Sequence, residues 1–117
     1  MINISNHPSM CWTEKQISAA KELADEIIDI SFPQVPPEMD EDWLYYTANK
    51  MERDIVMYGD NDSVVVHIMG EMGLTYRVCA RLQARGYTVY HSTTTRVAVE
   101  DGEKKTSIFS FCRFRMY

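Results

Sequence analysis

Residues 63–76 read SVVVHIMGEMGLTY and predict a buried strand, a glycine-flanked turn and a helix. The three consecutive valines are typical of a strand that is covered on both faces. Gly70 and Gly73 interrupt the apolar run. Leu74, Val78 and Leu82 then recur at helical spacing. Because backbone N–H groups at the start of such a helix can contact an anion, the segment predicts a ligand site without identifying the ligand.

Strand-like and helix-like patterns alternate along the rest of the chain. Thr13 followed by Gln16 is a capping-box signature for a first helix, and acidic residues at 40–42 favour the start of a second. In chain order we expect a strand at 1–5, a helix from 13, a strand at 26–32, a helix from 40 to 58, the strand and helix that begin at 63 and end at Gly86, a strand at 88–92, and strands at 97–100 and 105–114 that turn at Asp101 and Gly102. These alternations predict an α/β fold: a small Rossmann-like or flavodoxin-like parallel sheet with helices on both faces and a C-terminal antiparallel hairpin. We expect one such domain over residues 1–117.

Composition and charge argue against several classes of protein. The chain has 117 residues, of which 45% are hydrophobic and 25% charged, as is typical of one globular domain. A net charge of −5 argues against a duplex-DNA binder, which usually carries a basic face. The three cysteines are scattered and odd in number, so neither a disulfide framework nor a zinc site is expected. Without an apolar run of about 20 residues or a signal-peptide pattern, we expect a cytoplasmic protein that contacts no membrane.

Three polar loops are predicted to meet at one edge of the sheet. In parallel sheets, ligands bind beyond the carboxyl ends of the strands, near the point where the strand order reverses. The loops expected there are residues 5–9, 69–73 and 91–96, and all are rich in small polar groups. Their convergence is the main indication of a functional face. The first loop has no glycine and the second is not GxGxxG, so no dinucleotide cofactor is expected.

The second and third loops offer groups that can bind an anion. Ser92, Thr93 and Thr94 supply hydroxyls, and Arg96 supplies a guanidinium that matches phosphate geometry. Threonine also favours strands, so an ordinary edge strand is the alternative for this segment. The backbone of residues 70–73 either holds phosphate or simply forms a tight turn.

The first loop contains a histidine among small polar residues. His7 is the side chain there that can transfer a proton near neutral pH, and its alternative is a polar loop residue without a role. Ser5, Asn6 and Ser9 either bind a base or phosphate or only bond their own turn. His67 lies in the predicted buried strand, so we expect it in the core.

Four short motifs are distributed along the chain: SNHPS at 5–9 with Trp12, Gly70-Glu71, TTTR at 93–96 and RFRMY at 113–117. They resemble motifs of small stand-alone CRISPR-associated proteins that have a Rossmann-like domain of the CARF type, and the resemblance spans nearly the whole chain. It implies a homodimer with a cyclic oligoadenylate, expected to be cyclic tetra-adenylate, in a cleft across the two-fold axis. Some such proteins are ring nucleases, which cleave the ring and switch off an antiviral response, whereas others sense or sequester it.

The resemblance also implies roles for individual residues. His7, Ser5 and Arg96 would be catalytic, in a metal-independent attack of a ribose 2′-hydroxyl on its phosphate. The ligand-binding residues would be Asn6, Ser9, Gly70, Glu71, Met72, Gly73, Ser92, Thr93 and Thr94. No cofactor or metal is expected. Ring nucleases often place a lysine in the pocket, but none of the three loops contains one, and Arg96 is its expected replacement.

A protein-interaction module is the alternative from a different class. Arginines at 77, 81 and 85 form an i, i+4, i+8 stripe, which predicts a solvated helix face. With the aromatic cluster of Trp43, Tyr45 and Tyr46, this stripe would serve a protein partner.

Overall fold

The computed structural model describes residues 1–117 as a five-stranded sheet flanked by three α-helices. The elements are β1 (Ile2–Ser5), α1 (Glu14–Leu23), β2 (Ile28–Ser31), α2 (Glu41–Tyr58), β3 (Val66–Met69), α3 (Met72–Ala84), β4 (Val89–Asp101) and β5 (Lys104–Met116). The strand order is β2-β1-β3-β4-β5, in which the first four strands are parallel and β5 is antiparallel to β4. This order is flavodoxin-like, and the predicted fold class is confirmed.

The pleat of the strands separates two cores. Alternate residues of β1 and β3 face opposite sides of the sheet. Ile4 and Ile68 belong to the larger core of 13 buried residues, which α2 and α3 cover. Trp12, Ala20 and Phe114 belong to a smaller core of 5 buried residues, which α1 covers. Helices therefore lie on both faces, as predicted.

Side-chain caps begin the first two helices where the sequence predicts them. Thr13 Oγ1 accepts from Gln16 N–H at 3.3 Å, and Asp40 Oδ1 accepts from Trp43 N–H at 3.1 Å. Gly86 follows α3 with φ of 85°, a conformation in which a side chain would be strained. In no helix do length and apolar character together suffice to span a lipid bilayer.

β4 is one continuous strand from Val89 to Asp101. The predicted loop at 91–96 is wrong, because β5 pairs with β4 from Tyr90 to Asp101 and satisfies the backbone groups of the threonines. Threonine is β-branched and suits such a ladder. The predicted turn is confirmed, since β4 ends at Asp101 and Gly102 adopts φ of 62°.

The far end of the β4–β5 hairpin extends beyond the rest of the sheet. β3 pairs with only two residues of β4, Val89 and Tyr90. A β-bulge then shifts the register, with Cys112 as the extra residue on β5. We call residues 95–110 the hairpin arm, and all of them are exposed. The arm stands beside the carboxyl edge of the sheet and forms a wall there.

The arginine stripe on α3 is not a purely solvated face, contrary to expectation. Glu52 on α2 is only 7% exposed. Its carboxylate accepts from Arg81 Nη1 at 3.2 Å and from Arg85 Nε at 2.7 Å. The Arg81 guanidinium also lies 4.7 Å from the centroid of the Tyr45 ring. Because a buried carboxylate needs such partners, two of the three arginines join α2 to α3.

Candidate functional site

A cleft opens at the carboxyl ends of β1 and β3, beside the middle of β4, on the face that α1 covers. Its volume is about 670 Å³, and its lining residues are Ser5, Asn6, His7, Trp12, Thr13, Gln16, His67, Met69, Gly70, Ser92, Thr94, Phe109 and Phe111. None of them is an aspartate, glutamate, lysine or arginine. The cleft lies where the strand order reverses between β1 and β3, the position at which sheets of this topology bind ligands.

A chain of hydrogen bonds crosses the sheet beneath this cleft. Asn3 Nδ2 donates to Asp29 Oδ1 at 2.8 Å, and Asn3 Oδ1 lies 2.8 Å from His67 Nδ1. His67 Nε2 lies 2.7 Å from Ser92 Oγ. Gln16 Nε2 on α1 donates to the same hydroxyl at 3.2 Å. Each of the four parallel strands therefore contributes one residue to the chain, and α1 contributes the last.

The neighbours of Asn3 fix the tautomer of His67. Asn3 Nδ2 faces two groups that can only accept, the Asp29 carboxylate and the His7 carbonyl oxygen. The Asn3 carbonyl oxygen is therefore turned toward His67 and accepts from Nδ1–H. Nε2 then carries no hydrogen and accepts from the Ser92 hydroxyl. The network thus directs the Ser92 O–H onto a ring nitrogen.

Burial keeps the His67 imidazole neutral. The residue is 2% exposed, and its ring meets Trp12 and Phe114 edge-on at centroid distances of 5.5 and 5.3 Å. Desolvation, with a smaller contribution from the charge of His91, lowers the pKa of His67 to about 4. At neutral pH the ring is therefore an uncharged hydrogen-bond acceptor toward Ser92.

The loop after β1 is fixed through its backbone. The His7 carbonyl oxygen accepts from Asn3 Nδ2 and Ser5 Oγ, at 3.1 and 3.0 Å. It also accepts from Trp12 Nε1 at 3.0 Å, and the His7 N–H donates to Ser5 Oγ at 3.1 Å. These contacts hold the loop while the side chains of Asn6 and His7 remain exposed at the cleft.

The structure brings six of the predicted site residues together at this cleft. They are Ser5, Asn6, His7, Gly70, Ser92 and Thr94. The Ser5 hydroxyl is engaged within the protein, since its one hydrogen lies between two acceptors, Asn3 Oδ1 at 2.9 Å and the His7 carbonyl oxygen at 3.0 Å, and its oxygen accepts from the His7 N–H. Gly70 is required by close packing, because a Cβ at this position would collide with the ring of Phe32.

Glu71 and Gly73 are used to begin α3. The Glu71 carboxylate accepts from the N–H groups of Gly73 and Leu74, both at 2.8 Å. The backbone groups that we expected to hold phosphate are therefore occupied by a side chain of this protein. A carboxylate at a helix N-terminus is also favoured by the helix dipole.

Ser9 lies outside the cleft and bonds Asp29. Its hydroxyl donates to Asp29 Oδ2 at 2.7 Å, and its N–H donates to Oδ1 at 2.9 Å. Burial tends to raise the pKa of Asp29, but hydrogen bonds from Ser9 and Asn3 outweigh burial and hold the pKa below its usual value. Ser9 thus helps to keep the Asp29 carboxylate ionised, and this carboxylate orients the Asn3 amide.

Thr93 and Arg96 also lie outside the lining of the cleft. Thr93 Oγ1 donates to the Arg113 carbonyl oxygen at 3.1 Å. Arg96 is on the hairpin arm, where its Nε and Nη2 donate to Ser107 Oγ at 3.1 and 3.0 Å. Its guanidinium is 5.9 Å from the ring centroid of Phe109, which lines the cleft. Arg96 therefore lies at the rim.

Met72 belongs to a second groove on the α3 face of the same sheet edge. This groove has a volume of about 430 Å³ and is largely apolar, with Tyr117 and Thr75 in its lining. Thr75 Oγ1 is buried without a hydrogen-bond partner. The two openings share Met69 and Gly70, so they lie back to back across the end of β3.

Sequence reasoning missed Asn3 and Gln16 and assigned His67 only to the core. His67 is buried as expected, but its ring nitrogens connect Asn3 to the cleft. The available signal was a polar residue inside an apolar strand: Asn3 stands between Ile2 and Ile4, and His67 follows three valines. Buried polar groups need partners, so two such residues on neighbouring strands indicate a shared network.

The cysteines and acidic residues do not form a metal centre. All three cysteines are free, with Cys79 buried and Cys11 and Cys112 exposed. No group of three or more His, Cys, Asp or Glu side chains is arranged to hold a metal ion. The ionisable side chains that line the cleft are those of His7 and His67.

The structure defines a flavodoxin-like α/β protein whose cleft, at the switch point of the sheet, is lined by side chains other than Asp, Glu, Lys and Arg. The chain belongs to the family described as "Uncharacterized protein MJ1673 family", whose model matches residues 1–115. No curated protein and no solved structure matches the chain. The family match runs from β1 into β5 and so includes every residue of the cleft.

Proposed function

We propose that the cleft binds a cyclic oligoadenylate, with cyclic tetra-adenylate as the expected ring, and that the protein cleaves this ring through its own ribose 2′-hydroxyls. Cleavage would remove the signal of a type III CRISPR antiviral response. The observation that carries the proposal is the lining of the cleft, where neutral donors and acceptors stand beside aromatic rings and no carboxylate is present. RNA-like ligands present matching groups, namely base edges, base faces and 2′-hydroxyls.

The aromatic residues of the cleft have distinct roles in this proposal. Trp12 and Phe111 are buried and support the wall, whereas Phe109 is 63% exposed. The open face of Phe109 is therefore the place where an adenine would stack. Stacking of a base on an aromatic ring contributes about 1–3 kcal/mol.

The size of the cleft favours a homodimer as the binding unit. A volume of about 670 Å³ in one chain lies within the usual range of about 300–1,000 Å³ for sites of drug-sized ligands. A ring of four nucleotides is larger than such ligands. Two copies of the chain that present their clefts across a two-fold axis would enclose it, and an isologous pair is the commonest form of oligomer.

Two predicted catalytic residues have positions that suit the reaction. Attack of a 2′-hydroxyl on the adjacent phosphorus needs in-line geometry and stabilisation of developing negative charge. His7 presents an exposed imidazole at the cleft, and we assign it the protonation of the departing 5′-oxygen. Arg96 at the rim is the cation assigned to the phosphate. Ser5 is assigned to hold the His7 loop, because its hydroxyl already bonds that backbone.

Incubation of the protein with excess cyclic tetra-adenylate and EDTA tests this proposal. We expect linear products, resolved by chromatography and mass spectrometry, in amounts that exceed the protein. His7→Ala and Arg96→Ala should each slow cleavage by about 100-fold. Arg53→Ala, which removes an exposed arginine of α2, is the matched control and should cleave at the normal rate. Undiminished cleavage by both His7→Ala and Arg96→Ala would overturn their assigned roles.

A non-catalytic sensor or sponge for the same ring is the second candidate. It is favoured by two observations: the Ser5 hydroxyl is engaged within the protein, and Arg96 bonds Ser107 outside the lining. Intact ring that co-elutes with the protein after long incubation would select this candidate. Intact ring that does not bind would contradict both.

A further inference from the structure

Ser92 lines the cleft, and its hydroxyl has one unused acceptor position. A serine hydroxyl has one hydrogen to donate and two lone pairs that accept. The hydrogen is directed to His67 Nε2 at 2.7 Å, and one lone pair accepts from Gln16 Nε2 at 3.2 Å. The second lone pair has no partner within the protein. A ligand hydroxyl is the group that fits it.

The chain of groups behind Ser92 is arranged to accept a proton. If Ser92 receives a hydrogen from a ligand, its own hydrogen can pass to His67 Nε2, and Nδ1–H remains bonded to Asn3 Oδ1. Asn3 is in turn held by the Asp29 carboxylate at 2.8 Å. Enzyme sites commonly combine a nucleophile, a base and a group that orients the base. Here the ligand hydroxyl would be the nucleophile, His67 the base that acts through Ser92, and Asn3 the orienting group.

We propose that Ser92 and His67 form a proton relay that activates the attacking 2′-hydroxyl of the bound oligoadenylate. This inference rests on the proposed function, and it identifies the base that the proposed cleavage requires. In the step, the 2′-oxygen–phosphorus bond forms and the phosphorus–5′-oxygen bond breaks. The 2′ proton passes to Ser92 as the Ser92 proton passes to His67. The 5′-oxygen takes a proton from His7, and the products are a 2′,3′-cyclic phosphate and a 5′-hydroxyl.

The surroundings of His67 give the relay a distinctive pH dependence. The titratable groups near it are His91 on β4, Asp29 behind Asn3, and His7 at the cleft, while α1 presents the neutral Gln16. Because burial lowers the pKa of His67 to about 4, the ring nitrogen that faces Ser92 stays unprotonated at every pH well above that value. The rate should therefore show no loss of this base between pH 8 and pH 5.

Single-turnover and steady-state kinetics on Ser92 variants test the relay. Ser92→Ala should lower kcat by about 100-fold with KM changed by less than about threefold. Ser92→Thr keeps a hydroxyl at the same position and should recover most of the rate. His67→Gln should resemble Ser92→Ala, and His91→Gln is the matched control on the opposite face of β4. Should His67→Gln fail to fold, the pair of Ser92 variants still decides the question.

The outcomes separate this inference from the proposed function. Cleavage by the wild type together with a full rate in Ser92→Ala would overturn the relay and leave the ring-nuclease function intact. A limb in the wild-type kcat profile at pH 6–7 that persists in His7→Ala would show that His67 is not the base. A wild-type protein that binds the ring without cleaving it would overturn both.

Discussion

The orientation of the Asn3 amide determines which proton donor and acceptor face the cleft. Its NH2 group is directed to Asp29 and the His7 carbonyl oxygen, so its own carbonyl oxygen meets His67. The opposite orientation would place the ring hydrogen on Nε2 and leave Ser92 opposite a donor. A surface carboxylate thus controls the tautomer of a buried imidazole through one intervening side chain.

We predict that His67 makes the protein less stable in acid. Its pKa is about 4 in the folded protein, against 6.5 for an ordinary histidine. Between these values the unfolded chain holds one more proton than the folded protein, so the free energy of unfolding falls as the pH is lowered from 6.5 to about 4. Below that range this residue causes no further loss. The difference between the two pKa values corresponds to a loss of about 3 kcal/mol in the free energy of unfolding.

Urea unfolding at a series of pH values between 7 and 4 measures this effect. His67→Gln should lower the free energy of unfolding at pH 7. Between pH 6.5 and 4, its unfolding should take up about one proton fewer than that of the wild type, so its stability should fall less. His7→Gln, at an exposed histidine, is the matched control and should keep this acid-dependent loss. Identical pH dependence in the wild type and in His67→Gln would refute the assignment.

At the level of secondary structure, the N-terminus of α3 is capped by the side chain of Glu71. Glu71 accepts from two N–H groups, and Arg77 Nη1 donates back to the Gly73 carbonyl oxygen at 3.2 Å. A helix N-terminus that is capped in this way offers little to an anion. The proposed ligand site lies instead on the α1 face, beyond the ends of β1 and β3.

We predict that Glu71→Ala destabilises the protein by about 1 kcal/mol, the usual cost of losing a helix cap. The midpoint of chemical unfolding measures this. Glu103→Ala, at an exposed position in the β4–β5 turn, is the matched control and should leave the midpoint unchanged. Equal midpoints for the two variants would mean that the Glu71 cap contributes nothing.

The sequence predicted the elements and their order better than it predicted the site. The capping residues Thr13 and Asp40 and the turn at Gly102 act locally, so their patterns are visible in one segment. The strand predicted from Ser63 begins only at Val66, so Val64 and Val65 lie before it. The continuity of β4 depends on its pairing with β5. The role of Glu71 as a helix cap depends on the orientation that its carboxylate adopts in the folded turn. The network of Asn3, His67 and Ser92 joins three strands, and its only local signal is the presence of polar residues inside apolar strands.

For the molecule as a whole, the carboxyl edge of the parallel strands carries two openings. The cleft lies on one face of this edge, the apolar groove lies on the other, and the exposed hairpin arm stands beside them. The arm is a two-stranded ribbon, which is marginally stable when isolated. A large ligand between two copies of the chain would contact the cleft and the arm together.

Isothermal titration of cyclic tetra-adenylate into the protein, in EDTA at 4 °C, tests the central claim most directly. We predict saturable binding with one ring for every two chains. Phe109→Ala should weaken binding by at least tenfold, since it removes the exposed stacking face. Tyr46→Ala, which removes an exposed ring of α2, should bind as the wild type does. The absence of any heat of binding at ring concentrations up to about 1 mM would contradict the account, because it would leave the cleft without the ligand on which the proposed chemistry depends.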